Sequence, residues 1–167
     1  MMGASKKKGR ENLLLPFTEI TETNEDQSSD ESLDIDPYED NKILLADDDI
    51  FVHFAIKNLV EQKFNKQIDQ AMEGMEALEK IKERLRQQKP YNVIILDLNM
   101  PGLNGLELAR EIRREEKKYR VAQTIICSSS VGDETLDDLN SKAVDFFIPK
   151  PLTFQSLKLP FERSHLI

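Results

Sequence analysis

Residues 93–102 read Val93-Ile94-Ile95-Leu96-Asp97-Leu98-Asn99-Met100-Pro101-Gly102, an apolar run closed by an acid and then broken at Pro-Gly. A strand that ends this way presents its carboxylate at the C-terminal edge of a sheet, where open α/β folds place their ligands. Upstream, Ile43-Leu44-Leu45-Ala46 runs into Asp47-Asp48-Asp49; downstream, Phe146-Phe147-Ile148 runs into Pro149-Lys150-Pro151. Three strand ends therefore supply a run of acids, a single acid and a lysine.

Working outward, strands are expected over 42–46, 67–71, 92–96, 124–128 and 145–148. Between them lie helical patterns. Residues 50–63 place Phe51, Phe54, Ala55, Leu59 and Val60 near one face, and residues 75–88 place Leu78, Ile81 and Leu85 at spacings of three and four. Residues 105–118 (Leu108, Ile112) and 133–143 (Leu136, Leu139, Ala143) complete the set, with Asp133 as the expected N-cap of the last. The order βαβαβαβαβ implies right-handed crossovers and a parallel sheet covered on both faces.

Composition narrows the function. The chain has 167 residues and a formal charge of -8, most of it in residues 1–41, where four Lys/Arg face eleven Asp/Glu. That leader is too polar to offset its ordering entropy and is expected to be disordered, with Leu13-Leu14-Leu15-Pro16-Phe17 its one apolar patch. Without a basic stripe, direct nucleic-acid binding is not expected, because phosphate neutralisation needs clustered Lys/Arg. The single cysteine, Cys127, excludes an internal disulfide and reads as a small buried hydrophobe suited to a reducing compartment. Neither a secretory h-region nor a membrane-length apolar stretch is visible, so a cytoplasmic or, in a eukaryote, nuclear location is expected, with no membrane partner.

The strings Leu44-Leu45-Ala46-Asp47-Asp48-Asp49, Asp97-Leu98-Asn99-Met100-Pro101 followed by Gly105, Ile125-Ile126-Cys127-Ser128-Ser129 and Phe147-Ile148-Pro149-Lys150-Pro151, in this order and on strand ends, resemble a response-regulator receiver domain of two-component phosphorelays. The resemblance covers residues 42–152. It implies a flavodoxin-like (βα)5 three-layer sandwich with strand order 2-1-3-4-5, the order that general fold rules cite for the chemotaxis regulator of this family. A receiver over 42–159 and a C-terminal tail over 160–167 are expected. Pro160 should curtail the last helix, and no DNA-binding or catalytic effector domain is expected to follow.

On this resemblance Asp97 is the nucleophile that takes a phosphoryl group from the phosphohistidine of a histidine kinase or histidine phosphotransfer protein. Carboxylates crowded at Asp47, Asp48 and Asp97 repel one another unless a divalent cation neutralises them, which implies Mg²⁺. Its oxygen ligands would be Asp48, Asp97 and the backbone carbonyl of Asn99, with Asp47 acting through water. Lys150 would pair with a phosphoryl oxygen, Ser128 would be the switch hydroxyl and Phe147 the aromatic that moves with it. The receiver is then not an enzyme beyond its own phosphorylation and dephosphorylation, and it could be a stand-alone protein or the receiver of a hybrid histidine kinase. An Mg²⁺-dependent phosphatase with an aspartyl nucleophile would need a second acid where Asn99 stands, and a binding-only pseudo-receiver would lack an acceptor residue, which this chain does not. His53, in an apolar helix, reads as a packed or half-exposed histidine rather than a phosphohistidine.

Overall fold

Short strands alternating with amphipathic helices can bury both faces of a sheet only if the helices cross over it, and the chain does this four times, between five strands. The computed structural model describes residues 36–130 and 132–167. It runs β1 (Lys42–Ala46), α1 (Ile50–Leu59) continued by a wider π-type turn over Val60–Phe64, β2 (Gln67–Ala71), α2 (Gly74–Arg86), β3 (Val93–Asp97), α3 (Gly105–Tyr119), β4 (Thr124–Ser129), α4 (Leu136–Leu139), β5 (Phe146–Pro149) and α5 (Phe154–Arg163). All strand pairs are parallel and the order is β2-β1-β3-β4-β5, the flavodoxin-like order expected from the sequence.

Alternation along the central strands divides the core in two. Leu44, Ile94, Leu96, Ile125 and Cys127 face Ala77, Leu78 and Ile81 of α2 and Leu108 and Ile112 of α3. On the other face Ile43, Leu45, Ile95 and Ile126 meet Ile56, Val60 and Phe64 from α1 and its turn, and Leu157 and Phe161 of α5. Burial pushes the Cys127 thiol up to about 12, consistent with an inert core position.

Four expectations need revision. Helix α1 buries His53 and Ile56, not the anticipated stripe: Phe51 and Phe54 are 78% and 72% exposed. Apolar periodicity misjudged the face because a histidine occupies an inward position. Helix α4 spans only Leu136–Leu139 rather than 133–143, and Thr135, not Asp133, exchanges capping hydrogen bonds with Asp138. Ser141 then binds its own neighbourhood, its hydroxyl accepting from the Ala143 N–H, a local alternative to continuing the helix. The last helix is short, as expected, yet it passes through Pro160 and ends one turn later at Arg163. The ring cannot donate to Ser156, but Pro160, Phe161 and Leu166 are buried, so packing overrides the lost bond and these three residues join the core rather than a free tail.

The expected leader lies largely outside the described residues. Its last part does not: the Tyr38 hydroxyl donates to the Ala122 carbonyl at 2.6 Å and accepts from the Ala122 N–H at 3.1 Å, fastening residues 36–41 beside the start of β4.

Candidate functional site

Parallel register brings the chemistry together at one edge. Ala46 pairs with Leu96, Asp97 with Ser128, and Ser129 with Pro149, so the residues at or just past the ends of β1, β3, β4 and β5 are Asp47 and Asp48, Asp97, Ser128 and Lys150. One carboxylate oxygen each from Asp47, Asp48 and Asp97 lies within 4.8 Å of the others. The Lys150 ammonium sits 2.8 Å from Asp47 Oδ2 and 3.3 Å from Asp97 Oδ1. Its backbone is pinned by donation to the Ser129 carbonyl at 2.8 Å.

The turn after β3 aims Asp97. The Asn99 N–H donates to Asp97 Oδ1 at 3.3 Å, and the Gly105 N–H donates to the Leu98 carbonyl at 3.1 Å, folding the loop back under the acid. A Cβ at position 105 would meet the Asp97 carbonyl oxygen at 2.3 Å, so only glycine permits this approach of α3 to the strand end. Across the pocket, the Asp49 N–H donates to Asp47 Oδ1 at 2.9 Å, and Asp49 itself caps α1 by accepting from the Phe51 N–H. The triple aspartate thus divides its work: one buried acid, one exposed acid and one helix cap.

Electrostatics leave this cluster short of positive charge. Two carboxylates within 4.8 Å repel by about 3.5 kcal/mol or more at an effective dielectric near 20, and Lys150 reaches only Asp47 and Asp97 of the three. Asp97 is only 5% exposed. Burial first, and then the charge of Asp47, hold its carboxyl above the usual carboxylate range, although Lys150 and the Asn99 N–H pull the other way. For Lys150, burial would lower the ammonium, but the hydrogen bonds and charges of Asp47 and Asp97 outweigh it and hold it above its ordinary value.

A raised carboxyl in the folded state means that the folded state binds the proton more tightly than the unfolded one. Its contribution is therefore fully present at low pH and is lost as pH rises from the ordinary value of 3.8 through the raised one. Metal-free wild type is expected to lose stability relative to Asp97→Asn over that interval, read by denaturant midpoints at several pH values. A stability difference that does not change with pH would contradict it.

The donor set suits a hard divalent cation, three carboxylates and the Asn99 carbonyl, to which no described group donates. Every ligand atom would be oxygen, and the cluster's excess negative charge is what such an ion offsets.

Ser128 is 2% exposed, and its hydroxyl lies 3.5 Å from the Leu96 carbonyl, a long contact that leaves it free to turn toward Asp97. Phe147 pairs in register with Cys127 and packs, partly buried, against the α2/α3 core. Sequence reasoning missed the acids of the loop after β4. Glu134 accepts from the Ser129 hydroxyl and the Gly132 N–H, and Asp133 accepts from the Asn99 side chain at 3.2 Å. No spacing rule marks them, since the loop brings them together without any periodic pattern.

The model of the response regulator receiver domain matches residues 43–161. The chain belongs to this family. Solved receivers agree with it. A two-component response regulator from Cytophaga hutchinsonii is 26% identical with a TM-score of 0.66, covering 74% of this chain and 96% of that one. The response regulator TrrA from Thermotoga maritima, solved in complex with Mg²⁺ and beryllofluoride, is 32% identical with a TM-score of 0.60, covering 74% and 97%. The receiver domain of the histidine kinase CKI1 from Arabidopsis thaliana, complexed with Mg²⁺ and beryllofluoride, is 25% identical with a TM-score of 0.62, covering 75% and 88%. No curated protein matches the chain. Among the described residues, no helix of this receiver is long and apolar enough to cross a membrane.

Proposed function

We propose that this receiver accepts a phosphoryl group on Asp97 from a phosphohistidine, with Mg²⁺, in a histidine-to-aspartate phosphorelay. The observation that carries the reading is the convergence of Asp97, Asp47, Asp48 and Lys150 from the ends of β3, β1 and β5 at one edge of the sheet. An Asp97 carboxylate oxygen attacks phosphorus, the P–N bond breaks, its electron pair returns to the imidazole, and an acyl phosphate remains. Asp48, Asp97 and the Asn99 carbonyl would hold Mg²⁺, with Asp47 assisting, and the ion would supply positive charge to offset the acids and the phosphoryl oxygens.

The chain's own residues do the rest. Lys150 opposes the rise that burial and Asp47 impose on the Asp97 carboxyl, and swings from Asp47 onto a phosphoryl oxygen. Ser128 leaves the Leu96 carbonyl for another phosphoryl oxygen, vacating space beside β4 into which Phe147 turns. Only a ligand that contacts the two arrangements differently can shift their populations, and the Ser128 hydroxyl supplies that difference. Catalysis is confined to the domain's own phosphorylation and dephosphorylation, because Asn99 stands where a phosphatase would carry a second acid.

The donor is a histidine kinase or a histidine phosphotransfer protein. Ile50, Phe51, Phe54, Met72 and Met75 are exposed on segments that follow β1 and β2, beside the acid pocket, and offer it an apolar landing area. A cytoplasmic or nuclear compartment is proposed, in keeping with the lone buried thiol of Cys127. The test is transfer from a panel of labelled phosphohistidine proteins. Label is expected on this chain only with Mg²⁺ present and should be released by hydroxylamine, as an acyl phosphate is. Metal-independent or hydroxylamine-stable label would overturn the reading.

A further inference from the structure

Helix α1 turns only two of its residues fully inward, and one of them is a histidine. His53 is 2% exposed, with Nε2 at 2.6 Å from the backbone carbonyl of Asp47. A carbonyl can only accept, so Nε2 carries a proton and donates it. No described group donates to Nδ1, which is buried. A leucine would fill this place without stranding a polar atom, so packing does not explain the histidine; the bond to Asp47 does.

That bond lands at a sensitive point. The Asp47 N–H is held by the Ala71 carbonyl at 3.2 Å, and the Asp47 side chain by Lys150 and the Asp49 N–H. Asp48 is exposed, and its side chain makes no hydrogen bond or ion pair with any described residue. Its direction follows from the backbone alone. The Asp47 carbonyl and the Asp48 N–H share one planar peptide unit, so whatever fixes the carbonyl fixes the plane from which Asp48 departs. Gln70 steadies the helix end of this brace, its side-chain amide donating to the His53 carbonyl at 3.2 Å.

We propose that His53 is a positioning residue for the metal site: by holding the Asp47–Asp48 peptide plane through Nε2–H, it directs the otherwise untethered Asp48 carboxylate toward Asp97. It touches neither ion nor phosphoryl group. The inference rests on the reading of Asp48 as an Mg²⁺ ligand.

The experiment compares wild type, His53→Leu, His53→Gln and Asp48→Ala. His53→Leu is expected to bind Mg²⁺ roughly tenfold more weakly, in line with the loss of an outer partner that orients a ligand, measured by calorimetric titration of the full chain. With acetyl phosphate as donor, its half-saturating Mg²⁺ concentration rises while the plateau rate stays at the wild-type value, a split that general unfolding would not produce. His53→Gln places an amide N–H near the position of Nε2 and is expected to recover most of the affinity. Wild-type affinity in His53→Leu alongside lost affinity in Asp48→Ala overturns the inference and leaves the metal reading standing; unchanged affinity in both overturns the metal reading as well. Should His53→Leu fail to fold, the metal-free wild type decides: long-range ¹H–¹⁵N correlations should show the His53 proton on Nε2, and a proton on Nδ1 alone would overturn the proposal.

Discussion

Asp97→Asn, incubated with acetyl phosphate and saturating Mg²⁺, is expected to gain no phosphoryl group, whereas wild type gains one per chain by intact mass. The amide has nearly the shape of the carboxylate and can still accept from the Asn99 N–H, so the turn after β3 keeps its form. What it lacks is a nucleophilic oxygen. Neighbouring acids cannot substitute: Asp47 is buried with its oxygens committed to Lys150 and the Asp49 N–H, and Asp48 lies exposed with no lysine beside it among the described residues. Removal of a buried acid from a like-charged cluster also spares the fold, which separates lost chemistry from lost structure. Undiminished labelling of this variant would move the acceptor elsewhere.

Asp48→Ala should raise the Mg²⁺ dissociation constant at least tenfold, about 1.4 kcal/mol, while leaving the melting temperature unchanged or higher. The asymmetry follows from its surroundings. Asp48 contributes a carboxylate to the cluster, with one of its oxygens within 4.8 Å of one oxygen each of Asp47 and Asp97, yet no described residue depends on it for a hydrogen bond. Its deletion removes a ligand and a repulsion together. Calorimetric titration against wild type measures the first effect and thermal melts the second. Equal Mg²⁺ affinities would remove Asp48 from the metal site.

Strand ends were legible because three apolar runs each stop on a group too polar to continue them, and parallel register then leaves those groups little choice of neighbour. Asp47, Asp97, Ser128 and Lys150 converge for that reason. Helix faces were less legible. In α1 the counting of apolar residues pointed to Phe51 and Phe54, but the Asp47 carbonyl draws His53 inward and rotates the phenylalanines to the surface. A polar residue that is buried because one backbone acceptor needs it leaves no periodic trace. Pro160 misled in the opposite direction: its missing N–H costs a bond, but Phe161 and Leu166 pack into the core beyond it and carry the helix through. Tyr38 and Glu134 act through long-range or loop contacts that composition does not encode, as the bond from Tyr38 to Ala122 shows.

The most direct test of the central claim is to locate the phosphoryl group chemically. Wild type phosphorylated by a phosphohistidine donor is reduced with borohydride, which converts an aspartyl phosphate to homoserine, and the peptides are mapped by mass spectrometry. The account predicts homoserine at position 97 and at no other position. Homoserine at position 47 or 48, or label retained on His53, would contradict it.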